Sequence, residues 1–109
     1  MSLDVQDVAS KMIEAAKGVV GEKWPVTSAY FVSESRMFAE RFAAIARMRA
    51  EGVISEERAR SHVAFQKDAW ETVLVAAYGL TQLMVEQALN AALDAVRDVV
   101  NAAVGFALI

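Results

Sequence analysis

Residues 71–86 read Glu-Thr-Val-Leu-Val-Ala-Ala-Tyr-Gly-Leu-Thr-Gln-Leu-Met-Val-Glu, with no charged residue between Glu71 and Glu86. What the chain does at Gly79 decides its fold. Neither Pro, Asp nor Asn stands in Tyr78-Gly79-Leu80-Thr81 to drive a turn. One glycine inside a helix costs only about 1 kcal/mol. The reading this favours is a single helix over residues 56–107, about 78 Å long at 1.5 Å per residue. A compact chain of this length has a radius of gyration near ~13 Å, so such a helix overhangs its own domain and needs a second subunit to cover its far half. The alternative is a bend at Gly79, which closes a four-helix up-down bundle within one chain.

Downstream, Val85, Leu89, Ala92, Val96, Val99, Ala103 and Phe106 alternate four- and three-residue steps. This is a heptad seam, the pattern by which one helix packs on another. Glu86, Asn90, Asp94, Arg97 and Asn101 share the opposite, solvated side. Leu93, Val100, Val104 and Leu108 widen the apolar arc toward the C-terminus, which calls for two neighbouring helices rather than one.

Upstream, Glu51-Gly52-Val53-Ile54-Ser55-Glu56-Glu57 is a helical hairpin turn. Gly52 can take the left-handed conformation that closes a helix. Ser55 can accept from the first backbone N–H groups of the next helix, Glu56 and Glu57 suit its positive end, and Ile54 is placed to staple onto Ala59. The helix before this turn is expected over residues 27–51, capped by Thr27 or Ser28, with Phe31, Phe38, Phe42 and Ile45 as its stripe and Met37 and Met48 alongside. Arg36–Glu40 and Arg47–Glu51 have the four-residue spacing of surface ion pairs, each worth about 0.2–0.5 kcal/mol. A first helix is expected over residues 3–22, carrying Val5, Val8, Met12, Ala16 and Val19 and ended by Gly21 and Pro25.

Composition sets the same class. Hydrophobic residues make up 56% of 109 residues and there is one proline. Few helix breakers with abundant Ala, Leu, Met, Glu and Arg predict one all-α domain over residues 1–109. A chain this short buries a limited share of its surface, so its apolar surplus points to an interface, a groove or a lipid surface. The net charge of −3 gives no basic face for nucleic acid. It is unevenly spread: residues 34–67 carry seven Arg/Lys against five Glu, and residues 68–109 carry five acids against Arg97 alone. No cysteine is present for a disulfide or thiolate site. Asp4 and Asp7 come too early for a secretory leader, and no run reaches the ~18 apolar residues of a membrane span, so a cytoplasmic location is expected.

Candidate chemistry is sparse. His62 is the sole histidine, and Arg58, Ala59, Phe65 and Gln66, its helical neighbours, include no carboxylate to form a metal or acid–base pair. Glu56 with Glu57, Asp68 with Glu71 (flanking Trp70 at a solvated edge) and Asp94 with Asp98 are better explained by a helix start and wet faces than by paired-acid catalysis. No serine lies in a nucleophile elbow and no glycine-rich phosphate loop is present. The expectation is therefore a protein with no catalytic residue, cofactor or metal. The arginines at 36, 41, 47, 49, 58 and 60 form either an anion patch or a salt-bridged face, and the glutamates among them favour the latter. The aromatic residues at 24, 30, 31, 38, 42, 65, 70 and 78 read mostly as core.

The function this predicts is a non-enzymatic oligomerisation or assembly module. Its partner would be a second copy, most simply in a dimer, or another helical protein, joined through the seam from Val85 to Phe106. Two alternatives rank below it. The tail from Val99 to Ile109 could lie on a membrane surface, although its acidic surroundings disfavour anionic lipid. A bundle lined by the aromatics, Met37 and Met48 could hold a small apolar ligand.

Overall fold

The computed structural model describes residues 3–109. Among them are four α-helices and no strand: α1 (Val5–Val20), α2 (Trp24–Ala50), α3 (Glu56–Ala76) and α4 (Gln82–Val104). A single 3-10 turn, Gly21–Lys23, joins α1 to α2. The helices form an up-down bundle of 42 × 23 × 18 Å with a radius of gyration of 13.7 Å. α1 packs closely on both α2 and α4, α3 packs on α2 and α4, and α2 touches α4 across the middle. No helix of the described residues is long and apolar enough to cross a membrane.

The expected straight helix over 56–107 is thus two helices, and the bend at Gly79 is the arrangement found. Gly79 sits at φ +68. Its N–H reaches Val75 O at 3.2 Å and the Leu80 N–H returns to Leu74 O at 3.2 Å, so the last turn of α3 keeps its carbonyls occupied. Thr81 then caps α4, its Oγ1 accepting from Met84 N at 3.2 Å. Leu80, just before the cap, is buried together with Val85 four residues into the helix, the placement of a hydrophobic staple. Gly-Leu-Thr is the same grammar as Gly52-Val53-Ile54-Ser55, one residue shorter. No Pro, Asp or Asn is required.

At the first hairpin, Gly52 has φ +72, Val53 N reaches Met48 O at 2.9 Å and Gly52 N reaches Arg49 O at 3.1 Å, a Schellman closure. Ser55 Oγ accepts from Arg58 N at 3.1 Å, and Ile54 and Ala59 both lie in the core. These features are as the sequence predicts.

Several boundaries move. α1 spans 5–20 rather than 3–22, starting after Asp4, whose carboxylate accepts from Asp7 N at 3.1 Å. α2 begins at Trp24, three residues before the expected cap, because Pro25 falls in the first turn, where a missing N–H breaks no bond. Thr27 is fully buried and donates its Oγ1 to Lys23 O at 2.9 Å instead of capping.

Trp70 anchors the centre. It is buried rather than at a solvated edge, with its ring centroid 5.5 Å from that of Phe31 and 5.2 Å from that of Phe38. Phe38 also meets Phe42 at 5.8 Å. Tyr30 stacks on Tyr78 at 5.4 Å, tying α2 to the end of α3. Partial burial first, and then the Glu34 carboxylate, push the Tyr30 phenol above its ordinary pKa.

Candidate interaction surface

The heptad seam is taken up inside the chain. Val85, Leu89, Ala92 and Val96 are buried in the bundle core, where α4 packs most extensively on α1. A second copy could reach these four residues only by opening the bundle. Farther along, the buried ridge leaves the predicted positions. Val100 and Val104 are buried, while Val99 is 38% exposed and Ala103 is only half-buried. A straight α-helix has 3.6 residues per turn, so it drifts about 20° per heptad against a 3.5-residue repeat. Two heptads add about 40°, which turns Val99 to the edge of the inward side, and Val100 and Val104 take up the burial. The wider arc is filled as expected, because Leu93, Val100, Val104 and Leu108 are all buried.

Phe106 lies beyond the helix, after Gly105 at φ +86. The guanidinium groups of Arg49 and Arg60 both lie over its ring, at 5.2 and 5.1 Å from the centroid. The tail is tied back at several points. Asn101 Oδ1 accepts from Leu108 N at 2.9 Å and Ile109 N at 3.0 Å, Arg97 Nε donates to Ile109 O at 3.0 Å, and Arg60 Nε donates to Ala107 O at 3.0 Å. Asn101 is therefore a cap for the tail rather than a member of a wet face. The last residues, from Ala107 to Ile109, are thereby held against α3 and α4.

With the seam consumed, the apolar surplus shows elsewhere. Phe65 is 79% exposed on α3 and Met37 is 51% exposed on α2, although both read as candidates for burial in the sequence. Val26 and Val32 are also exposed along α2. The core side of α2 is satisfied by Phe31, Phe38, Phe42 and Ile45, so the exposed residues fall on its two outer flanks, Val32 toward α1 and Met37 toward α3, with Arg36 and Glu40 between them. Three clefts run together along this ridge. One of about 350 Å³ is lined by Ala29, Val32, Ser33, Arg36, Met37 and Glu40. A second, of about 190 Å³, shares Val32 and Arg36 and opens toward Ser10 and Ile13 of α1. A third, of about 210 Å³, shares Met37 and Glu40 and opens toward Gln66 of α3.

Comparison with models of known protein families, with curated protein sequences and with solved structures finds no match.

The charges around the ridge divide into used and unused. Arg49 donates to Ile54 O at 3.0 Å and pairs with Glu56 at 3.5 Å, and Arg60 pairs with the same Glu56 at 3.5 Å. These two arginines therefore lock the hairpin to the tail. Among the described residues, neither of the predicted pairs Arg36–Glu40 and Arg47–Glu51 forms, and Arg41 and Arg58 have no ion-pair partner either. An exposed pair of this kind gains little over solvation and side-chain entropy. His62 is exposed on α3. No group of three or more His, Asp or Glu among the described residues is arranged to hold a metal ion.

Proposed function

We propose that this chain is a non-enzymatic helical module that works by associating with a second copy of itself, through the outer side of α2 and α3 rather than through the α4 seam. The observation that carries the reading is a satisfied core beside large apolar side chains left exposed on the outside, Met37 on α2 and Phe65 on α3. Met37 borders the linked clefts, and both it and the exposed Phe65 ring lose water on contact with a partner. The 42 × 23 Å broad side of the bundle is large enough for the roughly 800 Å² per partner that a specific interface buries.

Sedimentation velocity of the full chain across the micromolar range tests this. A species of twice the chain mass, growing with concentration, is expected. Phe65→Ser and Met37→Ser should weaken it while leaving thermal unfolding unchanged, because neither side chain is in the core. A chain that stays monomeric throughout overturns the proposal.

A further inference from the structure

We infer that two copies meet through α2 in an antiparallel, two-fold arrangement, with Arg36 of each copy beside Glu40 of the other. This inference rests on the self-association reading above and names the face and the register. Arg36 and Glu40 lie one helical turn apart on the outer side of α2 and line the same cleft with Val32 and Met37. Within the chain they form no ion pair among the described residues. A two-fold contact presents the same patch from both sides, so residue i meets residue j and j meets i. An antiparallel pair of α2 helices centred level with Phe38 brings Arg36 to Glu40 of the second copy twice over.

Val32 and Met37 lie about 140° apart around α2, one on each flank of the Arg36–Glu40 face, and the two-fold sets each flank against the same flank of the second copy. The charges are thus self-complementary at the centre of the contact, and the apolar residues border them on either side. A parallel arrangement would instead face Arg36 with Arg36 and Glu40 with Glu40. Like charges across an interface are strongly disfavoured, which selects the antiparallel one. An acidic partner of another kind would match Arg36 and be repelled by Glu40.

Charge reversal tests the register. Arg36→Glu leaves the face with acids only, and Glu40→Arg leaves it with arginines only. Each single variant should self-associate at least about tenfold more weakly than the natural chain, the scale of close charge pairs at interfaces. The double variant should return to within a few-fold of the natural chain. The decisive arm is a mixture of the two single variants, which should form a mixed dimer because their faces are complementary. Circular dichroism of each variant should show an unchanged helical bundle. A dimer that persists in both single variants overturns this register while leaving self-association intact, whereas a monomeric natural chain overturns both. Failure of the double variant and the mixture to recover also overturns it.

Discussion

Ser35 is fully buried on α2, one turn from both Phe31 and Phe38, the two rings on which Trp70 packs. Neither Ser35 Oγ nor Trp70 Nε1 finds a hydrogen-bond partner among the described residues, and Gln66 Oε1, one turn from Trp70, is in the same position. A buried polar atom left unpaired costs about 1–3 kcal/mol. Ser35→Ala removes one such atom and leaves a residue of higher helix propensity. Chemical denaturation should show the variant more stable by about 1 kcal/mol; a loss of that size would mean that the hydroxyl has a partner in solution. Nothing in the spacing of the sequence announces this site, since Ser35 falls on the aromatic stripe but is the wrong type for it. The sequence reading also misplaced Phe65, which is 79% exposed. Its position in a helical chain reads as core, yet Val63 and Trp70 define the inward side of α3, and Phe65 lies on the other.

At the scale of the element, the turn at residues 77–81 separates a bundle from a long overhanging helix. The usual turn residues are missing, and its signal is the order of three ordinary ones: a glycine able to take positive φ, a leucine to bury and a threonine to cap. Each contributes a modest amount, and together they outweigh the few backbone bonds that an uninterrupted helix would add. Thr81→Ala removes the cap that Met84 N uses and should lower the unfolding free energy by about 1 kcal/mol, with Thr81→Ser close to the natural chain. Equal stability of all three in a denaturant titration would show that the cap contributes nothing. Gly79 is the harder residue to replace, because its φ of +68 is a conformation that side chains with a Cβ rarely adopt.

At the scale of the molecule, the apolar seam of α4 has its partner in α1. Val96 is fully buried there, so Val96→Glu places an unpaired carboxylate in the core, a change worth several kcal/mol. The outcome expected is an unfolded chain, seen as a loss of cooperative thermal melting by circular dichroism. A folded monomer would instead place Val96 on a surface between subunits. Phe65→Ser and the charge reversals at Arg36 and Glu40 lie outside the core and should leave the fold intact, so under the proposed association they affect only that. The two sets of variants would therefore separate what holds the bundle together from what the proposal says joins one bundle to another.

Local grammar and periodicity alone determined a good deal about this protein. They gave its helical class, the stripes of α1 and α2, the hairpin at Gly52-Ser55, and an apolar arc on the last helix too wide for one neighbour. Each of these rests on contacts between residues a few positions apart, which the chain carries with it. The tertiary structure decided which neighbour fills that arc. A seam has the same residue pattern whether it packs on its own α1 or on another molecule, and only closure of the chain at Gly79 brings α1 within reach. Closure also fixed the outer surface. The exposure of Met37 and Phe65 follows from how α2 and α3 are turned about their axes to bury Phe38 and Trp70, a choice made by packing in three dimensions.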